Sequence, residues 1–386
     1  MDLRPPRTIQ DIIDSIPSEG TKWNLLREVL LHGNLTAVDP TTPSSYSTSN
    51  FFGTSTLDTP HIIMESLMQP PLSHGQAAEL ILADIIKPPQ GDAVYNIHPH
   101  ISGDDKSQIA AKIMLNVSKP LKASETGQSL WNIRCPSLDT KYVDPKLVSE
   151  HLPTERCLRE TTVTANVMPY GGIADLHHDV GYGLSTLVVG KKLWVWYPPT
   201  EENFDALSKI YESRGGYRER IFDHFRNLSN GVAFIQTQNM TVWVPPFCAH
   251  AVFTLQTSIL TGREIYAKSK FPQRLASARV HLSWSRASSH GQKERKNEVS
   301  EVLDHLGQVL QTDDRVLHAE TVKAWTIGHG TLKTMNGGLK NSLKDFMKVW
   351  SRYTADWTTC PFCEVPCGDD GVKRAFMRHF QEVHCK

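Results

Sequence analysis

Apolar residues recur at helical spacing towards both ends of this chain and at strand spacing through its middle. Ile9, Ile12, Ile13 and Ile16 fall about one turn apart until Pro17 stops them, and Leu25, Leu26, Val29 and Leu30 repeat the pattern, so two short helices are expected within 1–37. Residues 38–60 are rich in Ser, Thr and Pro, with Phe51 and Phe52 as anchors, and read as a linker or a pinned loop. A helix resumes from about Gly75 to Ile86 inside a mixed support region, 61–160. The texture then changes. From Thr161 to Tyr266 the runs TVTANVM, LSTLVVG, LWVWY, VAFIQT, TVWVP and AVFTL are short, β-rich and cut by Gly, Pro and Asn. That is the pattern of a sandwich or small barrel, here a core over 161–272 interrupted by a helical insertion from Glu201 to Phe225. After Pro272, Val299, Val302, Leu303, Leu306 and Leu310 share one helical face. Further helices are expected from Val316 to Ile327 and from Leu339 to Tyr353, completing a helical region, 273–354, ahead of a Cys/His-rich tail, 355–386. The expected fold class is α+β.

Composition narrows this picture. At about 150 residues per domain, 386 residues allow two or three domains. With 39% hydrophobic and 21% charged residues the chain is neither globally disordered nor a coiled coil. Forty-one Lys and Arg balance forty-one Asp and Glu, so any nucleic-acid affinity has to come from a local patch. The first residues carry acids among their apolar positions and offer no continuous apolar core, unlike a signal peptide. No run approaches the roughly 18–20 apolar residues of a membrane span, so a soluble, intracellular protein without a membrane partner is expected. Of seven cysteines, Cys360, Cys363, Cys367 and Cys385 crowd into the tail, which suits a metal site in a reducing compartment better than a disulfide framework.

The β-rich segment carries a metal-ligand pattern. In Ala174-Asp175-Leu176-His177-His178-Asp179, strand periodicity sends His177 and Asp179 to one face and His178 to the other, and His250, in Val244-Pro245-Pro246-Phe247-Cys248-Ala249-His250, can complete a three-ligand face. Two histidines and a carboxylate suit a ferrous ion and leave its opposite face open. Cys248 either approaches that metal or fills the wall. Lys192, in Gly190-Lys191-Lys192-Leu193-Trp194-Val195-Trp196, shares a face with Trp194 and Trp196, where it either snorkels to a rim or lies buried beside an anion.

These elements together, over about Thr161 to Tyr266, resemble the Jumonji C family of Fe(II)- and 2-oxoglutarate-dependent oxygenases. The resemblance implies a double-stranded β-helix, a cupin-like jelly roll, flanked by N-terminal and C-terminal helices. His177, Asp179 and His250 would hold the iron, and Lys192 would bind the distal carboxylate of 2-oxoglutarate. The implied reaction attacks a C–H bond of a protein side chain, giving a hydroxylation, or a demethylation where the carbon is an N-methyl group, with histone methyl-lysine as one substrate. Where the family has a Thr three residues before the first ligand, this chain has Ala174. Ser185 or Thr186 on the next strand, or Tyr170 or Thr164, could supply the missing donor.

In the tail, Cys360, Cys363, His379 and His384 follow the spacing Cys-x2-Cys-x15-His-x4-His, a zinc finger with a thiolate knuckle and a helix carrying both imidazoles; Cys367 and Cys385 are substitutes. Phe376 holds the usual apolar helix position, whereas Asp369-Asp370-Gly371 stands where the finger's other apolar residue belongs. Lys373, Arg374 and Arg378, with Lys386, make a small basic face, and one finger reads only about 3 base pairs, which favours weak DNA contact or a protein-binding role. The expectation is an iron and 2-oxoglutarate oxygenase acting on a protein, located in the nucleus if the target is chromatin and otherwise in the cytoplasm. The alternatives are a catalytically weak or inactive chromatin scaffold and a small-molecule oxygenase.

Overall fold

The β-rich middle of the chain, from Cys157 to Ala267, supplies seven of the eleven strands among the residues described by the computed structural model, which are 8–18, 20–39, 60–64, 66–86, 94–96, 131–145, 148, 157–213, 224–278, 280, 291–334, 342–367 and 375–385. Most of the expected linker lies outside them, as do Lys373, Arg374 and Lys386 of the expected basic face. The strands are β1 (Leu35–Ala37), β2 (His61–Ile63), β3 (Val94–Asn96), β4 (Trp131–Arg134), β5 (Cys157–Glu160), β6 (Thr164–Met168), β7 (Ile173–His177), β8 (Tyr182–Tyr197), β9 (Gly231–Thr237), β10 (Thr241–Val244) and β11 (Ala249–Ala267). Their main order is β1-β9-β8-β11-β6-β4-β3, with β7 also on β11, β10 on β8 and β2 on β10. The sheet is mixed, because β1 runs parallel to β9 while β8 pairs antiparallel with β9, β10 and β11. The result is an α+β protein built on a large mixed sheet.

The runs LSTLVVG and LWVWY, read as separate strands, are one. Gly190 sits at φ +94 within β8, and a Cβ there would lie 2.4 Å from the Thr257 carbonyl oxygen, so only glycine lets β11 pass this closely. The register slips beside it, from Lys192 opposite Thr254 to Val189 opposite Ile259 and Leu187 opposite Leu260. This bulge reverses the alternation. Leu187 and Trp194, of opposite parity, belong to one buried cluster with Trp196, Phe234 and Val252, while Val188 joins Val167, Ile133 and Ile81 on the other face. Each such side chain contributes roughly 1.5–3 kcal/mol by leaving water.

The chain divides into two compact units, Met1–Thr154 with Arg159–Ala206 and Arg218–Ile265, and Glu155–Leu158 with Leu207–Tyr217 and Tyr266–Lys386. In the second, the helices Gly291–Leu310, Arg315–Thr334, Ser342–Tyr353 and Ala375–Val383 gather around Trp325 and Trp350, both fully buried. Leu306 and Leu310 of the expected face are in that core, whereas Val316 and Ile327, which bounded the next expected helix, are exposed. Arg274, itself buried, reaches Glu298 at 2.7 Å, Glu301 at 3.1 Å and His305 at 3.0 Å, fastening the helix Phe271–Ala276 to Gly291–Leu310. No helix among the described residues is long and apolar enough to cross a membrane.

Candidate metal centres

β11 lies between β7 and β8, and His250 is paired on both sides, with His177 on β7 and with Trp196 on β8. Direct cross-strand pairing explains why the two imidazole centroids are 4.2 Å apart. Asp179 follows β7 in a turn whose carbonyl accepts the Phe247 N–H at 2.8 Å, so the segment leading into β11 holds this ligand's backbone in place. Its carboxylate lies 3.6 Å from His250 Nε2, and one donor atom from each of His177, Asp179 and His250 falls within 4.8 Å of the others.

The tautomers are set by local hydrogen bonds. His177 Nδ1 donates to the Asp175 carbonyl at 2.6 Å and His250 Nδ1 to the Cys248 carbonyl at 2.9 Å, which leaves each Nε2 as a lone pair facing the shared centre. Burial, reinforced by His177, pushes the His250 imidazole down to about 4, so the ring is neutral at pH 7. Two neutral imidazoles and one carboxylate fit a divalent first-row ion and are compatible with iron. His178 turns instead to stack on Phe247, with ring centroids 6.5 Å apart, and Cys248 fills the buried cluster around Trp194.

Lys192 lies on β8 two residues before Trp194, whose ring stacks on His250 at 5.8 Å between centroids. It is 1% exposed, so the rim alternative is excluded. Among the described residues no carboxylate meets it; its Nζ has the Met168 thioether at 3.9 Å. Burial pushes the ammonium from its ordinary 10.5 down to about 7. Because the folded value lies below the unfolded one, the unfolded chain binds more protons between pH 7 and 10.5, and stability rises with pH across that window. Replacing Lys192 by Met is expected to flatten this rise; urea midpoints measured across the window check it, and an unchanged slope sinks the account.

The other expected donors are placed as follows. Thr186 shares its hydroxyl with Thr241 at 2.7 Å and accepts the Leu67 N–H, on the opposite side of the strand from Leu187. Ser185 shares the side of Leu187, and its carbonyl accepts Gln236 Nε2, whose Oε1 in turn accepts the Trp194 indole at 2.8 Å. Thr164 donates to the Gly262 carbonyl, and Tyr170 packs 5.1 Å from Trp23. Ala174 pairs with Val252 and packs against the Trp194 cluster. Sequence reasoning missed Thr254, which is fully buried, pairs with Lys192 across the strands and donates to Met168 Sδ. Alternation from His250 through Val252 to Thr254 was the signal that pointed to it.

The second centre is in the tail. Cys360, Cys363, His379 and His384 bring their donor atoms within 4.8 Å of one another. Cys363 Sγ is 3.1 Å from His379 Nε2, Cys360 Sγ 3.5 Å from His384 Nε2, and Cys363 Sγ 3.9 Å from the latter. A tetrahedron with ligands about 2.0–2.3 Å from its centre has edges of roughly 3.3–3.8 Å, so this set fits zinc with no position left open. The knuckle is shaped by the Cys360 N–H donating to Val365 O at 3.0 Å and the Glu364 N–H to Cys360 O at 2.9 Å. Cys367 directs its thiol at the Val365 carbonyl, and Cys385 accepts the Trp325 indole N–H at 3.2 Å, so neither joins the cluster. Burial pushes the Cys360 thiol up to about 11, an environment in which a thiolate requires an adjacent cation.

No family model matches the chain, and no curated protein matches it.

Proposed function

We propose that the β-rich unit is an Fe(II)- and 2-oxoglutarate-dependent oxygenase of Jumonji C type, its strands wound as a double-stranded β-helix, acting on a protein side chain. The observation that carries this reading is the combination, on neighbouring strands of one sheet, of a His177–Asp179–His250 donor set with a buried ammonium, Lys192, that lacks an anionic partner among the described residues. An unpaired buried charge costs several kcal/mol, and a dicarboxylic keto acid relieves it with one end while the other end meets the metal. Bound iron and keto acid, with dioxygen as the co-substrate, would supply an oxidant for an unactivated C–H bond. The chain's own residues hold the donors in their Nε2-free tautomers, place the cation and keep water away through the Trp194 and Trp196 wall.

The protein substrate, with histone methyl-lysine as the first class to test, and a nuclear location follow from the family resemblance. A second reading, a scaffold that keeps the fold without turnover, draws on Ala174, which puts a methyl where the family has a hydroxyl. Anaerobic titration of the Fe(II)-loaded protein with 2-oxoglutarate separates the two. A metal-to-ligand charge-transfer band is expected for the wild type, and Lys192→Met should need about 10- to 100-fold more keto acid to reach it. Absence of the band at saturating keto acid overturns the enzyme reading.

A further inference from the structure

The thioether of Met168 faces the ammonium of Lys192. Its Sδ, on β6, meets Lys192 Nζ at 3.9 Å and also accepts the Thr254 hydroxyl, so one weak acceptor engages both donors. A carboxylate oxygen in the same place would form a charge-assisted bond, about twice as strong as a neutral one. The chain makes room for the sulfur at this spot: a Cβ on Gly172 would fall 2.4 Å from Met168 Cγ and 2.9 Å from Sδ. The backbone of Met168 is fixed by its pairing with Ser258 on β11, so any movement falls to its unbranched side chain with three rotatable bonds.

We infer that Met168 is a displaceable plug of the Lys192 site: its sulfur holds the ammonium and the Thr254 hydroxyl in the ligand-free protein, and the distal carboxylate of a keto acid binds by pushing it aside. This rests on the reading of Lys192 as the partner of an anion. Two consequences follow. Affinity is lowered by whatever the thioether contacts contribute, and the length of acid accepted is set by the volume at position 168.

The test is calorimetric titration of the Mn(II)-loaded full-length protein, without oxygen, with 2-oxoglutarate and with 2-oxoadipate, one methylene longer. Wild type, Lys192→Met, Met168→Leu and Met168→Ala are compared, with near-UV circular dichroism to establish that each is folded. Met168→Leu keeps the bulk and removes the acceptor, and is expected to tighten 2-oxoglutarate by about tenfold. The wild type should disfavour 2-oxoadipate by about 10- to 200-fold, and Met168→Ala should shrink that gap to a few-fold. If the wild type binds 2-oxoglutarate in a Lys192-dependent way but both Met168 variants match it in affinity and length preference, the plug is overturned while the anion site stands. If no folded variant, Met168→Ala included, binds either acid in a Lys192-dependent way, the anion site itself is overturned and the plug with it.

Discussion

Cys360→Ser is expected to unfold the helical unit rather than merely loosen a tail. Cys360 is fully buried in the same core as Trp325, Trp350, Phe376 and Phe380, and the helix that carries His379 packs Phe380 4.5 Å from Trp350 and Phe376 4.9 Å from Trp357. His384 is tied to the helix Arg315–Thr334 through the Thr326 hydroxyl, 3.2 Å from its Nδ1. A zinc ion at this site therefore fixes a knuckle and a helix that are also wall pieces of the core. Structural zinc is worth about 10–16 kcal/mol in isolated fingers, against a typical domain stability of 5–15 kcal/mol, so losing one buried ligand should cost at least about 4 kcal/mol. Cys367→Ser, at a thiol directed to the Val365 carbonyl and outside the four-donor set, should cost less than about 1 kcal/mol. Zinc analysis together with near-UV circular dichroism of the full chain gives the answer. A Cys360→Ser protein that keeps one equivalent of zinc and its aromatic spectrum would show that the ligand set has been drawn wrongly.

That integration could not be seen from residues 355–386 by themselves. Their spacing named the four donors, since ligand order is local in sequence, but the apolar packing for the finger comes from Trp325 and Trp350, on two helices that precede it. The iron-type triad shows the same division. His177 and Asp179 were legible because period two puts them on one face, and His250 because it follows a proline turn into a strand. What Lys192 touches was not legible, because Met168 and Thr254 come from other strands, and the choice between Ser185 and Thr186 was not legible either, because the Gly190 bulge reverses the alternation between them and Lys192. Likewise β1 to β4, three or four residues each, are too short for any periodicity to show. The helix expected from Gly75 to Ile86 was recovered to within a residue, as His74–Ile86, since its apolar stripe repeats over several turns, whereas the one expected to end at Ile327 runs on to Thr334.

The second large effect is on the other metal. Asp179→Ala leaves two neutral imidazoles and no anionic donor, and His177→Ala leaves one imidazole and the carboxylate; either set falls short of the three donors that retain a labile ferrous ion, so affinity should drop by more than about 100-fold. Both proteins should stay folded. The Phe247 N–H bonds to the backbone carbonyl of Asp179 and survives loss of its carboxylate, and the β7–β11 pairing of His177 with His250 is likewise a backbone matter. The measurement is anaerobic Fe(II) binding, read by competition with a chromogenic chelator, alongside total zinc. Because Cys360, Cys363, His379 and His384 form a donor set of their own, zinc should remain at one equivalent while iron is lost. Full iron occupancy in both variants would remove the triad as the binding site. Joint loss of iron and zinc would mean that the substitutions act by unfolding, and His250→Gln, which keeps a polar side chain of similar reach, would then show whether the loss tracks the donor or the fold.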